Sequence, residues 1–223
     1  MIIAIDGPAG AGKSTIAKAV AKKLNFMCLD TGAMYRAIAW KALQDLVDLD
    51  DNNALEQLAL NEKISFEQDK LTGAAKVFLN GVDISDAIRT TEVDKAVSPV
   101  SASAPVRAAL VVQQQRIGAV GNYVVEGRDI ATVVFPNAEI KLFMTASSKA
   151  RAHRRLRQNV DRGVGSIDFK EVFEALEKRD AYDSGREASP LKPADDAVIL
   201  DTSDMYIEEV IDKICDMAKD KMR

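Results

Sequence analysis

One octapeptide constrains this chain more than any other feature: Gly7-Pro8-Ala9-Gly10-Ala11-Gly12-Lys13-Ser14. It matches G-x-x-x-x-G-K-[ST] in full. Its glycines let the backbone fold around a phosphate with N–H groups turned inward. A helix starting at the loop adds the positive end of its dipole. Lys13 has the reach for β and γ oxygens of a triphosphate, and the Ser14 hydroxyl suits Mg²⁺. Thr15 follows directly, so residues 7–15 form the expected ATP-binding stretch. Composition alone gives such a match in about one chain in a hundred of this length. The context is therefore informative. Ile2–Ile5 is an apolar run closed by Asp6-Gly7-Pro8, which reads as a buried strand entering a turn. After Lys13, the residues Ile16, Ala17, Val20, Ala21 and Leu24 recur at helical spacing.

The rest of the chain alternates in the same way. A strand is expected at Phe26–Leu29, then punctuation at Asp30-Thr31-Gly32 and a helix from about Ala33 to Leu46. Further strands fall at Tyr123–Val125, Ile140–Met144 and Ala197–Leu200, with helices over Ser148–Asp161, Phe169–Asp183 and Tyr206–Lys221. Five strands with intervening helices imply an α/β fold with a parallel, doubly wound sheet, here of the P-loop NTPase type. The middle is different. Ile64–Phe66, Lys76–Leu79 and Val82–Ile84 are short apolar runs separated by Lys70-Leu71-Thr72-Gly73 and by Asn80-Gly81, a hairpin signal. A small antiparallel sheet is therefore expected inside an insertion over about 60–100, followed by helices at Glu92–Val100 and Pro105–Gly118. The chain reads as a single kinase-sized domain over residues 1–223.

Bulk properties narrow the function. A net charge of -4 weighs against a general nucleic-acid binder, without excluding a local phosphate site. Cys28 and Cys215 form no metal or redox spacing and are expected to be reduced. No run approaches the roughly 18 apolar residues of a membrane span, and the start lacks a leader pattern. A cytoplasmic monomer with no membrane partner is the expectation. The D-x-x-G and N-K-x-D patterns of GTPases are absent. A kinase for a nucleotide, a sugar or a cofactor precursor remains, as does a nucleotide-binding regulatory module.

Arginines are grouped in three places. Arg151, Arg154 and Arg155 share one helix face, which suits a mobile lid over a triphosphate at about 148–166 or, more plainly, a solvated face. Arg179, Asp183 and Arg186 form a second group, in which Arg179 and Asp183 are spaced to pair with each other. Arg128 and Asp129 follow the strand at Tyr123, where α/β sheets bind ligands or a surface ion pair sits. His153, the single histidine, carries no assigned role, and neither does Glu126.

Together these segments resemble the bacterial cytidylate kinase family. The resemblance rests on Ile5–Ser14, Leu29-Asp30-Thr31-Gly32-Ala33-Met34-Tyr35-Arg36, Ile88-Arg89-Thr90, Val106-Arg107, Glu126–Pro136, Arg151–Arg155 and Arg179-Asp180, in that order. It implies a nucleoside monophosphate kinase that phosphorylates CMP and dCMP with ATP and Mg²⁺, with the inserted sheet forming part of the NMP-binding region. By this resemblance Thr31, Tyr35 and Arg36 lie at the acceptor site, where the family often has serine at position 31. Arg36 and Arg128 would hold the CMP phosphate, Ser98, Arg107 and Asp129 the cytosine, and Arg179 and Asp183 the pentose. Lys13, Arg155 and Arg186 would stabilise the transferring phosphoryl group. Cytosine presents an amino donor and two acceptors, which a carboxylate, a hydroxyl and an arginine can meet.

Overall fold

A computed structural model describes residues 1–68 and 75–222. The chain divides into two compact units, Met1–Leu29 with Gly118–Arg223, and Asp30–Ile117. The expected 60–100 insertion lies inside the second unit. The Lys70–Gly73 turn expected between the first two inserted strands falls outside the described residues.

The first unit is built on a five-stranded sheet in the order β2 (Met27–Asp30), β6 (Tyr123–Glu126), β1 (Ile2–Asp6), β7 (Ile140–Thr145), β8 (Val198–Asp201). β1 runs parallel to both β6 and β7, and β7 parallel to β8. Sequence and position agree strand by strand. Central β1 is covered on both faces, so Ile3, Ala4 and Ile5 are all fully buried and the run is continuously apolar. Edge strand β8 leaves Val198 and Ile199 largely exposed and buries Leu200. Helices α1 (Lys13–Leu24) and α8 (Ile207–Met222) pack on this sheet. Ile16, Val20, Val210 and Ile214 join Ile3, Ile5, Val124, Leu142 and Met144 in one core. Each such side chain contributes about 1.5–3 kcal/mol through burial. A second, smaller cluster of Ala9, Ala152, Val172 and Leu176 joins the phosphate-loop segment to α6 (Ser148–Arg162) and α7 (Phe169–Gly185). His153 is exposed and lies against Phe169, with ring centroids 4.7 Å apart.

The second unit contains α2 (Thr31–Gln44), α3 (Asn52–Asn61), the antiparallel sheet β3 (Ile64–Gln68), β4 (Ala75–Leu79) and β5 (Val82–Asp83), then α4 (Thr91–Ala102) and α5 (Ala104–Gly118). Asn80 and Gly81 both take positive φ, 51° and 82°, which gives the β4–β5 hairpin the turn its strand twist favours. Two local features differ from expectation. α2 starts at Thr31 because the Asp30 carboxylate accepts from the Ala33 amide and caps the helix. Asp30-Thr31-Gly32 is therefore a helix start as well as a break. α3 was not read from the sequence. Asp51 caps it by accepting from Asn53 and Ala54, and its apolar face is short, with Leu55 and Ala59 buried.

Candidate active site

The loop from Gly7 to Gly12 joins the C-terminal end of β1 to α1. Gly7 has φ 144°, and a Cβ there would collide with the carbonyl oxygen of Met144 on neighbouring β7. Gly12 takes φ 94° as the N-cap of α1 and supplies no side-chain cap. Only a glycine fits the first position, and at the second its lack of a capping side chain suits an anion on the first turn of α1. Ser14 and Thr15 on that turn are exposed, whereas Lys13 is buried. The Lys13 ammonium donates to the Pro8 carbonyl at 2.7 Å, so it lies along its own loop. Burial first, then the Arg128 guanidinium, bring its pKa down to about 7 against the pull of Glu126 and Asp6.

Two carboxylates at strand ends flank this lysine. Glu126 ends β6 in register with Ile5 of β1, and its Oε2 accepts from the Ser14 hydroxyl at 2.8 Å. Glu126 is buried. Glu126 has no role in the sequence reading, although a carboxylate closing an apolar strand is a readable signal. Ser14 and Glu126 offer only hard oxygen donors. Among the described residues no three His, Cys, Asp or Glu side chains cluster to hold a metal by themselves. Such a site fits a cation that arrives with phosphate oxygens and waters and needs one or two protein ligands. Asp6, the other strand-end carboxylate, accepts from the amides of Ile130 and Ala131, both at 2.8 Å. These amides open a π-helical turn over Ile130–Val134, directly after Arg128 and Asp129. Burial raises the Asp6 pKa to about 6, although the two amides pull the other way.

The arginines separate into two kinds. Arg128 donates through Nε to Asp183 Oδ2 at 2.9 Å, and Arg186 lies 3.7 Å from Asp183 Oδ1. Burial pushes the Asp183 carboxyl upward, but Arg128, Arg179 and Arg186 outweigh it and hold the group below its usual range. Asp183 is thus shared, where a simple pair with Arg179 was one expectation. Arg179 also acts on Lys13, so Lys13, Arg128, Arg179 and Arg186 form one positive cluster. Asp129 is buried next to Arg128 in the chain. Arg151 and Arg154 are different: both donate to main-chain carbonyls of the phosphate loop, Ala9 and Ala11. Arg155 donates to Gln158 on its own helix at 3.2 Å.

In the second unit, Arg36 is buried and pairs with Asp94, and it donates to the Ile88 carbonyl at 3.2 Å. Arg89 pairs with Asp30 at 2.8 Å. Burial works to raise the Asp30 carboxyl, but Arg89, the Ala33 amide and Arg36 together hold it low. The Arg107 guanidinium sits over the Tyr35 ring, 5.2 Å from its centroid, and donates to the Ser101 carbonyl at 3.0 Å. Thr31 is buried and Ser98 half-buried. Buried guanidiniums held by a carboxylate, a ring face and backbone carbonyls are oriented before any ligand arrives.

A cytidylate kinase family profile matches residues 3–220. The chain belongs to the cytidylate kinase family. A cytidylate kinase of Enterococcus faecalis is 47% identical over 219 residues, covering 98% of this chain and 96% of that one. Cytidylate kinases of Bacillus thuringiensis and Bacillus cereus are each 50% identical over 212 residues, covering 95% of this chain and 93% of theirs. Among solved structures, TT1252 from Thermus thermophilus aligns over 100% of this chain and 98% of its own, with 17% identity and a TM-score of 0.49. Membership in the cytidylate kinase family makes this chain a kinase with nucleoside monophosphate kinase activity and small nucleotide substrates. It also implies a nucleotide donor and a divalent metal. No helix among the described residues is long and apolar enough to cross a membrane.

Proposed function

We propose that this kinase transfers the γ-phosphoryl group of ATP to the phosphate of CMP and of dCMP, giving CDP or dCDP and ADP. The observation that carries the reading is that Arg128, Arg179 and Arg186 gather on the Asp183 carboxylate, with Arg128 and Arg179 also acting on buried Lys13 of the loop. Guanidiniums gathered beside a loop lysine suit highly charged phosphates. The names of the relatives support cytidylate as acceptor.

The residues then divide the work. Gly7, Pro8, Ala9, Gly10, Ala11, Gly12, Lys13, Ser14 and Thr15 wrap the phosphates of ATP. Ser14 and Glu126 would hold Mg²⁺, which neutralises charge on the β and γ oxygens when bound. Arg36 and Arg128 take the CMP phosphate, with Thr31 and Tyr35 beside Arg36 in sequence. Ser98, Arg107 and Asp129 read the cytosine. Arg179 and Asp183 serve the pentose, and Asp183 also orients Arg128 and Arg186. Transfer is an in-line displacement through a loose transition state, with charge spread over equatorial oxygens. Lys13, Arg155 and Arg186 stabilise that charge, and no general base is required because the attacking phosphate is already ionised near neutral pH. Closure of a lid formed by about 148–166 would keep water from the γ-phosphate.

An acceptor panel tests this proposal. With ATP and Mg²⁺ fixed, ADP release is followed for CMP, dCMP, UMP, AMP and GMP. CMP and dCMP should exceed the purine nucleotides by about a hundredfold or more in kcat/KM. Comparable rates with AMP or GMP, or none with CMP, would refute the assignment.

A further inference from the structure

We infer that Arg151, Asp180 and Arg154 are positioning residues that hold the phosphate loop open to its ligand from the outside, and that they do not themselves bind the donor. This inference rests on the reading of Gly7–Ser14 as the donor's phosphate site.

The geometry is specific. Both polar backbone groups of Ala9 are captured by the helices packed behind the loop. Its N–H donates to Asp180 Oδ1 of α7 at 3.1 Å, and its carbonyl accepts from Arg151 Nη1 of α6 at 3.0 Å. Arg151 and Asp180 also pair with each other, which closes a ring around one residue. The same guanidinium donates to the Ala146 carbonyl at 3.1 Å and to Ser148 Oγ at 3.1 Å. Arg151 is buried. Three residues along α6, Arg154 donates to the Ala11 carbonyl at 3.1 Å and to Thr202, which follows β8. Buried Thr202 itself donates to the Ala11 and Thr145 carbonyls at 3.4 and 3.1 Å.

The consequence follows from peptide planarity. No peptide in the described chain is cis. In a trans peptide the carbonyl of one residue and the N–H of the next point in opposite directions. Holding the Ala9 and Ala11 carbonyls outward therefore turns the Gly10 and Gly12 amides to the opposite side, the side that a phosphate occupies. Gly10 and Gly12 both have positive φ, 74° and 94°, and glycine flips its peptides at little cost. The outer clamps remove that freedom. Without them a flipped peptide would direct a carbonyl oxygen at the phosphate. Two of the three arginines on this face of α6 thus act on the backbone of the loop, which a solvated face would not do.

The test uses the full chain with inorganic tripolyphosphate, ATP and CMP as separate probes in binding titrations, with kcat and KM for both substrates. In Arg154→Ala and Asp180→Ala, tripolyphosphate and ATP should both weaken by about tenfold or more, while CMP affinity stays within about twofold. Arg151→Lys keeps one charge near Asp180 but lacks the fork that reaches Ala9 and Ala146. It should fold and still show the selective donor loss, with only partial recovery relative to Arg151→Ala. Loss of ATP with tripolyphosphate unchanged would place these side chains on the nucleoside and overturn the inference. Equal loss for donor and acceptor, or a lower melting temperature with unchanged affinities, would reduce them to general structural groups and also overturn it. Wild-type protein that fails to bind tripolyphosphate and ATP would sink the phosphate-site reading itself.

Discussion

The outer face of the phosphate loop and the cluster at Asp183 use the same side chain for opposite ends. At the loop, Arg151 faces two carboxylates, Asp180 and Glu177, and two backbone carbonyls, of Ala9 and Ala146. Two of its bonds hold main-chain carbonyls and the others meet side-chain oxygens of Ser148, Glu177 and Asp180. At Asp183, three guanidiniums share one carboxylate. There the carboxylate is shared among cations, and Arg186 also donates to the Asp183 and Ser189 carbonyls. Arginines bonded to the loop fix its backbone, and guanidiniums gathered on one carboxylate concentrate positive charge where a phosphate is proposed to bind. The residue type alone does not separate the two roles.

Removing positive charge from this group should have the largest effect. Lys13→Ala should lower kcat by about a thousandfold or more with the fold retained, as followed by steady-state kinetics and circular dichroism. A rate near that of wild type would remove Lys13 from the reaction centre. Arg128→Ala should come next, with kcat/KM for CMP reduced by about a hundredfold to a thousandfold. ATP affinity should change much less. Equal losses for both substrates would place Arg128 on the donor.

A smaller effect sharpens the contrast through protons. Lys13 has a pKa of about 7 because it is buried beside Arg128. A bound triphosphate favours its charged form, so ATP binding near pH 8 should take up a fraction of a proton. Calorimetry in buffers of differing ionisation enthalpy measures that number. Arg128→Ala should reduce it by raising the Lys13 pKa of the free enzyme. Uptake unchanged in the variant would show that the cluster does not set the lysine.

The smallest expected effect compares two buried carboxylates, Asp6 on backbone amides and Asp183 among arginines. Asp6 rises from 3.8 to about 6, a change worth roughly 3 kcal/mol. The native state binds that proton more tightly than the unfolded chain. The Asp6 contribution is therefore complete below its unfolded value and is lost as pH rises from about 4 to about 6. Asp183 is held low, so its contribution is present above its unfolded value and is lost as pH falls through the native pKa. Urea unfolding across this range should show Asp6→Asn making stability rise more steeply between about pH 4 and pH 6, with the acid limb below it unaffected. An unchanged slope would mean that Asp6 is not strained by burial.

Elements with a strong local signal were legible. The strand at Ile2, the loop and α1 follow from an apolar run, glycines and helical periodicity. Asn80-Gly81 fixed a hairpin because both residues accept positive φ. Elements stabilised by one cap and few apolar contacts were harder. α3 has a short buried face and begins at Asp51, and α2 begins earlier than its apolar pattern because Asp30 caps it. The site divides in the same way. The residues of the loop announce themselves through spacing. Glu126, Asp6 and Asp180 do not, since their partners are 112, 124 and 171 residues away in sequence, at Ser14, Ile130 and Ala9.

The sequence by itself determined that a glycine-rich turn between a buried strand and a helix would present backbone amides to phosphate, since that depends on contiguous residues and their allowed dihedrals. It also determined the alternating α/β rhythm, which is a property of periodicity. Only the tertiary structure decided which arginines gather on Asp183 and which bond the main chain of the phosphate loop. That choice is made by distant strand ends and helices brought within hydrogen-bond range, and a guanidinium carries no local mark of the partners it will meet.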